Sequence, residues 1–452
     1  SGPAWPGRVG YSVGPMGAPA PADTEVIVAV FAITYLGMLI GRLPRLAVDR
    51  TGIALLGAIA LLATGATSLE HAAAAIDAPT LMLLFGLMVV SAQLRLGGFY
   101  ARTAGTLAPL PVSPPRLLAL LVAVVGALSA VFSNDIVCLA MTPVLIEACA
   151  HRRLDPVPFL LALAAAANVG SAATLIGNPQ NMLIGQALGL SFAGYLRQAI
   201  VPTGLGLAAT WAIVAWQARG RWAASEARLA AIAAARGGEP VPSFDRWQAA
   251  KGLAVAAALL VAFLAWDRPR EIAALAGAGL LLLSRRMHSR ATLGLVDWPL
   301  LVLFIGLFVV NDAMQRTGLP EQAVAGLRAL GVDAERPAWL FAAAALLSNA
   351  VSNVPAVMLL LPLAEHPLAG PVLALASTLA GNLLIVGSIA NMIVVDAAAR
   401  RGVGIDWRRH ARAGVPVTLA TLAIAALWLA LAPQPPTPAD PGLSFAAIGS
   451  PD

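Results

Sequence analysis

Long apolar stretches alternate with short polar segments along almost the whole chain. Apolar runs of about 18 residues or more recur, which is the length that a helix needs to cross a hydrocarbon core of about 30 Å. The pattern therefore predicts an all-α polytopic membrane protein. Ten stretches are predicted to cross the bilayer once: residues 25–41, 51–69, 79–97, 158–190, 199–218, 251–266, 271–285, 298–315, 372–399 and 413–432.

Two further apolar stretches, residues 116–150 and 337–364, each carry a Ser-Asn cluster near the middle. Arms of about 15 residues around such a cluster are too short to cross the bilayer and return. Re-entrant hairpins are tolerated where they are buried in protein or line a cavity. We therefore expect one re-entrant hairpin in each of these two stretches.

The two halves of the chain share a sequence pattern. Residues 79–98 align with 299–318, and residues 174–184 align with 383–394. The Ser-Asn pair at 133–134 matches the pair at 352–353. Five crossings per half is an odd number, so the halves would lie in opposite orientation, as in many secondary transporters. The predicted fold has two inverted-topology repeats, each of five transmembrane helices plus one re-entrant hairpin, with one helix per repeat broken at the midplane.

The domain organisation follows from these spans. Each repeat would contain one hairpin and one broken helix, and a cytoplasmic linker would join the repeats. The expected segments are a disordered N-terminal segment or cloning remnant at 1–24, repeat 1 at 25–218 (hairpin 116–150, broken helix 158–190), the linker at 219–250, repeat 2 at 251–432 (hairpin 337–364, broken helix 372–399) and a disordered tail at 433–452.

Composition and charge agree with a membrane protein. Only 12% of the residues are charged and the mean hydropathy is +0.80, whereas soluble domains carry about 25% charged residues. The net charge is +6, but the arginines fall mainly in short loops, which favours the positive-inside rule over nucleic-acid binding. If both chain termini lie on the outer side of the membrane, most of the arginines fall on the inner side. We therefore expect a multi-pass protein of a bacterial inner membrane.

Polar side chains at the two hairpin tips are the first candidate site. A polar group at the membrane midplane is costly unless it has partners, and hydroxyl, amide and carboxylate groups there could hold Na⁺ or a substrate oxygen. Helix capping is the simpler explanation, but the cluster occurs in both halves. The candidate residues for a Na⁺ site are Ser133, Asn134, Asp135, Ser352 and Asn353.

The two broken helices are the second candidate site. Gly and Pro within an apolar span weaken a helix, and interrupted helices at matching positions of two halves point to a transport site. The candidate binding residues are Asn168, Thr174, Gly177, Asn178 and Asn181 in the first half, and Asn382, Gly387, Ser388 and Asn391 in the second.

Charge limits what this site could bind and how. No Lys or Arg lies within 117–151, 154–196 or 337–399. A substrate anion would therefore meet helix N-termini, amides, hydroxyls and a co-bound cation. Asp135 is a candidate to bind Na⁺ or to carry H⁺ as the coupling ion, the alternative being a hydrogen-bonded structural acid. No other cofactor is expected.

Enzymatic chemistry has no support in the sequence. We find no His/Cys metal spacing, no nucleophile elbow and no G-x-x-x-x-G-K loop, so neither an enzyme nor an ATP-driven pump is expected. The two cysteines, Cys138 and Cys149, lie in one apolar stretch and are expected to be packing residues.

The motifs SNDIVCLAMTPV, NVGSAATLIGNPQNMLIG, SNVPAVMLLLPL and GNLLIVGSIANMIV resemble those of the ion-transporter superfamily. This group contains arsenite permeases, citrate-metal transporters and divalent anion/sodium symporters, and the likeness is strongest to an uncharacterised bacterial anion-transporter branch. The resemblance implies a homodimer in which hairpins and broken helices form a transport domain that moves, elevator-like, against a scaffold. Symporter members have Ser-Asn-Thr at both tips, whereas this chain has Asp135 and Val354 at the third position. Arsenite permeases carry Asn-Asp at the first tip, and Cys138 is a soft ligand that As(III) would favour.

The sequence thus predicts an ion-coupled (Na⁺ or H⁺) secondary transporter of a small anion or oxyanion, working by alternating access. An arsenite or antimonite efflux permease, or a Na⁺/H⁺ antiporter, remains an alternative within the same class. An ion channel is the alternative from another class. The expected partners are the anionic substrate, the lipid bilayer and a second copy of the chain, with no nucleic acid.

Overall fold

The computed structural model describes residues 20–41, 47–107, 110–235, 243–266, 269–284, 286–329, 333 and 336–431. Within these ranges the chain forms helices and no β-strand, with a single isolated bridge between Leu154 and Ala223. Seven helices are long and apolar enough to cross a membrane, so the prediction of an all-α polytopic membrane protein is confirmed. The expected tail 433–452, most of the segment 1–24 and part of the linker lie outside the described residues.

The described residues of the first half, between 20 and 235, form eleven helices. The predicted hairpin corresponds to α6 and α7, and the predicted broken helix corresponds to α8 and α9. The helices are α1 Pro21–Ile40, α2 Arg50–Ala63, α3 Leu69–Ala75, α4 Ala78–Leu96, α5 Phe99–Leu107, α6 Pro114–Val131, α7 Asn134–His151, α8 Pro156–Ser171, α9 Pro179–Ala187, α10 Phe192–Gln217 and α11 Glu226–Ala234.

In the second half, the part of 243–431 that the structure describes forms ten further α-helices in a similar order. The second predicted hairpin corresponds to α17 and α18, followed by a 3₁₀ turn, and the second broken helix corresponds to α19 and α20. The helices are α12 Arg246–Ala265, α13 Arg270–Leu282, α14 Ser289–Leu293, α15 Trp298–Arg316, α16 Leu319–Ala329, α17 Pro337–Val351, α18 Asn353–Leu360, α19 Ala369–Ala380, α20 Ile389–Ala399 and α21 Trp407–Leu431.

Several boundaries differ from those expected. The stretch 51–69 is not one helix: α2 ends at Ala63, Gly65 turns the chain with φ 77°, and Ser68 caps α3 by accepting from the His71 amide. The arms of the first hairpin are 18 residues each, longer than the 15 expected. The short helices α3, α5, α11, α14 and α16 were not expected, because none of them coincides with a long apolar run.

Two pairs of helices meet through glycine with their backbones almost in contact. Helix α4 packs against α13, and a Cβ on Gly86 would lie 2.7 Å from the Ala274 carbonyl carbon. Helix α15 packs against α2, and a Cβ on Gly306 would lie 2.7 Å from the Ala54 carbonyl carbon. Small residues allow such close packing in membranes, where van der Waals contact contributes strongly to association.

The outer surface of the bundle is apolar and carries tryptophans near the helix ends. Trp216 and Trp266 lie at the ends of α10 and α12, and Trp407 begins α21; each is about two thirds or more exposed. Large aliphatic side chains such as Ile33 and Leu36 are exposed on the outer face of α1. Tryptophan collects at the two interfaces of a bilayer, so this arrangement is typical of a protein embedded in lipid.

Candidate functional site

Both hairpins turn next to the broken helices. In the first hairpin, Phe132 and Ser133 separate α6 from α7; Ser133 is the N-cap of α7, and the tip residues Asn134 and Asp135 begin that helix. Asn134 donates from Nδ2 to Asn168 Oδ1 at 3.2 Å. Asn168 lies in the last turn of α8, directly before that helix ends. The first tip therefore lies at the same depth as the first helix break.

The second tip has a different backbone conformation. Ser352 joins α17 to α18 with φ 81° and ψ 162°, a region that residues other than glycine occupy only at a cost. Asn353 begins α18 and lies beside the second break, because a Cβ on Gly381 would be 3.4 Å from Asn353 Nδ2. The second tip is thus also adjacent to a broken helix, although its conformation differs from that of the first.

We define break 1 as residues 172–178 and break 2 as residues 381–388. One asparagine holds each break. Asn181 donates from Nδ2 to the carbonyl oxygens of Ser171 (3.4 Å) and Thr174 (3.0 Å). Asn391 donates from Nδ2 to those of Gly381 (2.9 Å) and Leu384 (3.0 Å). Carbonyls at a helix end have no partner within the helix, so each side-chain amide replaces the hydrogen bonds that the break removes.

The glycines of the two breaks allow a tight turn of the backbone. A Cβ on Gly177 would lie 2.2 Å from the Ser171 carbonyl oxygen, and one on Gly387 would lie 2.8 Å from Asn349 Oδ1. Asn178 caps α9 by accepting from the Asn181 amide at 2.9 Å. Thr174 donates from its hydroxyl to the Ala130 carbonyl, which ties break 1 to the first hairpin.

The amide network around Asn168 has a fixed polarity. The carbonyls of Gly381 and Leu384 can only accept, so Asn391 must turn its Nδ2 toward them. Asn391 then presents Oδ1 to Asn168 Nδ2 at 3.2 Å, and Asn168 Nδ2 also donates to Asn382 Oδ1 at 2.9 Å. Two backbone carbonyls thus determine how three asparagine side chains are oriented.

The same polarity leaves some polar atoms without partners. Asn168 Oδ1 accepts from Asn134 Nδ2 and, at 2.8 Å, from the Ser388 hydroxyl. Asn134 Oδ1 and Asn382 Nδ2 are then left buried with no hydrogen-bond partner within the described residues, as is Asn353 Oδ1. A buried polar group without a partner costs about 1–3 kcal/mol. Asn349 Oδ1, beside Gly387, is a further buried acceptor without a partner there, so that one donor and three acceptors at the tips and breaks lack partners within the described residues.

A second polar cluster forms around Thr378 of α19. Its hydroxyl accepts from Asn178 Nδ2 and Gln180 Nε2, both at 3.2 Å, and donates to Asn181 Oδ1 at 3.3 Å. Thr378 lies thirteen residues before Asn391, as Asn168 lies thirteen before Asn181. Each of these two side chains therefore binds the break of the opposite half.

Asp135 points to a different surface from the amide network. With Ser133, Asn178 and Pro179 it lines a cavity closed on the other side by α4 and by Asp297, the residue that caps α15. Glu147 and Asp396, by contrast, form ion pairs with Arg401 (3.1 Å) and Arg400 (2.8 Å). Asp135 and Asp297 are therefore the two carboxyl groups that face the cavity beside the candidate site.

The structure brings most of the predicted site residues together, and it adds several that the sequence did not single out. Gln180 and Tyr195 join the cluster at break 1, Asn349 and His410 contact break 2, and Asp297 faces Asp135. Gln180 could have been found from the sequence, because it is a polar residue inside the NPQN run. Tyr195 and His410 carried no such signal because each lies in the first turn of a long apolar helix.

Within the described residues no group of three or more His, Cys, Asp or Glu could hold a metal, and both cysteines are buried and free.

Comparison with known proteins gives a consistent result. The silicon efflux transporter LSI3 of Oryza sativa subsp. japonica is 30% identical, over 87% of this chain and 95% of that protein. The 46 kDa membrane protein of Mycobacterium leprae is 27% identical, over 89% of this chain and 97% of that protein. The crystal structure of the Alcanivorax borkumensis YdaH transporter has a similar fold, with a TM-score of 0.53 at 14% identity, covering 90% of this chain and 98% of that chain.

The family match covers the first hairpin and the first broken helix, which are the two regions of the first half that build the site. A family model described as citrate transporter matches residues 29–372, from α1 into α19. This is well over half of the 452 residues, and the resemblance to the ion-transporter superfamily noted in the sequence is thereby confirmed. The chain is a multi-span membrane protein that belongs to the citrate transporter family of secondary transporters.

Proposed function

We propose that the protein is an ion-coupled transporter that moves a small anion or oxyanion by alternating access, with Na⁺ or H⁺ as the coupling ion. The observation that carries this proposal is the set of unpartnered polar atoms at the tips and breaks. The free donor, Asn382 Nδ2, suits a substrate oxygen. The free acceptors at the tips, Asn134 Oδ1 and Asn353 Oδ1, suit a cation such as Na⁺, which binds oxygen ligands and would lie beside Ser133 and Ser352, whereas Asp135 faces the neighbouring cavity.

Four helices begin around this site, and their ends supply positive potential. Helices α7 and α18 start at the two tips, and α9 and α20 start after the two breaks. Each helix N-terminus carries roughly half an elementary positive charge together with free amide donors. An anion can therefore be held although no Lys or Arg lies within 117–151, 154–196 or 337–399. A cation bound at the tips would add the remaining charge compensation.

We also propose that the two halves form inverted repeats. Three structural correspondences support this. The close contact Gly86–Ala274 has a counterpart in Gly306–Ala54, in which the glycine and the alanine come from the opposite halves. Both residues are shifted along the sequence by the same number of positions. Asn181 and Asn391 hold corresponding carbonyls of the two breaks. Each half also reaches across to bind the break of the other half.

We propose an elevator-type motion, which the grouping of the helices supports. Helices α2, α4, α13 and α15 pack on one another through glycine, and we assign them to a scaffold. The hairpins and broken helices bind one another through the amide networks, and we assign them to the moving unit. The scaffold would form the homodimer contact, and both chain termini would lie on the outer side of the bacterial inner membrane.

One observation favours a second candidate within the same class. Asp135 and Asp297 face the same cavity, and a pair of carboxyl groups suits cation or proton exchange better than anion binding. An arsenite or antimonite permease, or a Na⁺/H⁺ antiporter, would use such a pair. The relative named as a silicon efflux transporter also favours an uncharged oxyacid as an alternative cargo.

Thermal stabilisation of the purified protein tests the proposal. Ligands that bind the native state raise its apparent stability. The panel contains citrate, succinate, sulfate, phosphate, arsenite and antimonite, each with and without Na⁺ at two pH values. A Na⁺- or pH-dependent shift with a carboxylate or oxyanion supports the proposal, whereas a shift with arsenite or with cations alone supports the second candidate. The variants Asn134→Ala and Asn353→Ala should lose the shift, while Asn311→Ala, a buried asparagine outside the site, should keep it.

A further inference from the structure

A carbonyl at the start of each helix break is held by a side chain that the sequence motifs do not include. In break 1 the Tyr195 hydroxyl donates to the Ala172 carbonyl oxygen at 2.7 Å. In break 2 His410 Nε2 lies 3.1 Å from the Asn382 carbonyl oxygen. A carbonyl can only accept, so Nε2 carries the proton in this contact. Both hydrogen bonds are buried and both connect a break to the next long helix.

These two residues occupy corresponding places in the two halves. Tyr195 is the fourth residue of α10, and His410 is the fourth residue of α21. Ala172 and Asn382 each lie nine residues before the asparagine that holds their own break. Tyr195 is 3% exposed and His410 is 6% exposed, so neither is a surface residue. The correspondence therefore extends beyond the polar motifs to the helices that support them.

The surroundings of His410 are built for close contact with the break. A Cβ on Gly414, one turn further along α21, would lie 2.5 Å from the Asn382 carbonyl oxygen and 3.0 Å from His410 Nε2. Glycine at this position thus allows α21 to approach the break. In the first half, Tyr195 also accepts a hydrogen bond from Asn181 Nδ2 at 3.3 Å, which connects it to the asparagine that holds break 1.

We propose that Tyr195 and His410 are equivalent positioning residues of the transport site, each fixing a carbonyl at the start of one helix break. His410 has the more direct effect on ligand binding, because it fixes the main chain of Asn382, whose side chain carries the free Nδ2 donor. The expected effect on ligand binding rests on the proposed function. The expected effect on the breaks rests on the hydrogen bonds alone.

Hydrogen–deuterium exchange of the purified full-length protein tests the effect on the breaks without any ligand. The donor is removed in His410→Leu and retained in His410→Gln, whose side-chain nitrogen can replace Nε2. In His410→Leu, amides of residues 381–388 should exchange about tenfold faster through local opening, while residues 172–178 keep the wild-type rate. Tyr195→Phe should give the opposite pattern. His288→Leu, at an exposed histidine, is the matched control and should change neither segment.

Ligand binding is measured separately, as the concentration of citrate or arsenite that gives half-maximal thermal stabilisation in the presence of Na⁺. This concentration should rise about fivefold to tenfold in His410→Leu, the ratio expected for one hydrogen bond, and stay near the wild-type value in His410→Gln. A wild-type protein that neither compound stabilises would count against the proposed function, and the exchange data would still decide the positioning role.

Three results would overturn the assignment. They are wild-type exchange of residues 381–388 in His410→Leu, equal acceleration of both breaks in either variant, and equal effects of Leu and Gln at position 410. If His410→Leu does not fold, Gly414→Ala replaces it, because the added methyl group would meet both the Asn382 carbonyl oxygen and His410 Nε2 and would disturb the hydrogen bond between them. Unchanged exchange of break 2 in Gly414→Ala would then reject the proposal.

Discussion

Replacing Asn168 by alanine tests whether one side chain joins the two halves at the site. Asn168 makes four buried hydrogen bonds, to Asn134, Asn382, Ser388 and Asn391. Three of these partners belong to the second half of the chain. In Asn168→Ala all four partners lose a bond at once, and the orientation of Asn134 and Asn382 is no longer determined. We expect loss of transport together with a clear loss of stability.

The size of the effect follows from the number of bonds. Side-chain hydrogen bonds between membrane helices contribute about 0.6 kcal/mol on average and up to about 1.7 kcal/mol. Four of them correspond to about 2–7 kcal/mol if each behaves as measured elsewhere. Asn311 is the matched control, because it is also a buried asparagine in an apolar helix. It accepts one interhelical bond, from the Tyr35 hydroxyl at 2.9 Å, so Asn311→Ala should cost about 1 kcal/mol.

The assay compares thermal unfolding with uptake in proteoliposomes for wild type, Asn168→Ala, Asn168→Asp and Asn311→Ala. Aspartate preserves the shape of the side chain, but its carboxylate cannot donate to Asn382 Oδ1 or Asn391 Oδ1. We therefore expect Asn168→Asp to be at least as unstable as the alanine variant. Wild-type stability and transport in Asn168→Asp would refute the fixed polarity of the network. Equal effects of alanine at positions 168 and 311 would refute the central role of Asn168.

Three further predictions concern packing, backbone strain and the free donor. Gly306→Ala should lower stability by about 1–3 kcal/mol, because its methyl group would overlap the α2 backbone; Gly279→Ala, which adds a methyl group in open space on α13, should be neutral or slightly stabilising when both are unfolded in parallel. Ser352→Gly should raise stability by about 1 kcal/mol by relieving the positive φ, whereas Ser352→Ala should not, and equal unfolding temperatures would contradict the strain. Asn382→Leu should remove ligand stabilisation while retaining the wild-type far-UV spectrum; a normal ligand response would show that its Nδ2 is not the substrate donor.

Much of the fold was predictable because polar residues are expensive in a bilayer and therefore stand out in an apolar sequence. The Ser-Asn pairs and the Gly-Asn-Pro run marked the turns and breaks for this reason, and the structure places helix ends at Val131, Asn134, Ser171 and Pro179. Span length alone was less informative, as the division of 51–69 into two helices shows. The single turn at Gly65 was sufficient to end α2 within a continuous apolar stretch.

The detailed arrangement of the site could not be predicted in the same way. Nothing in the sequence shows that Asn391 turns its nitrogen toward the Gly381 and Leu384 carbonyls, and the free atoms at Asn134 and Asn382 follow only from that orientation. Tyr195 and His410 were missed because each of them donates its hydrogen bond to a main-chain carbonyl. Any donor of suitable reach can make such a contact, so the residue type carries no motif.

If the proposed function holds, the differences between the two halves are where we expect specificity to reside. The corresponding positions share the elements that shape the breaks, such as Gly177 with Gly387 and Asn181 with Asn391. They differ at two positions of the candidate site: Asn168 corresponds to Thr378 in the networks, and Asp135 corresponds to Val354 at the tips. Under the proposed alternating-access mechanism, a backbone common to both halves would suit the exchange between two access states. The residues that differ would then determine which anion and which cation are bound, so substitutions at Asp135 should change ion dependence while those at Asn181 and Asn391 should impair transport of every substrate.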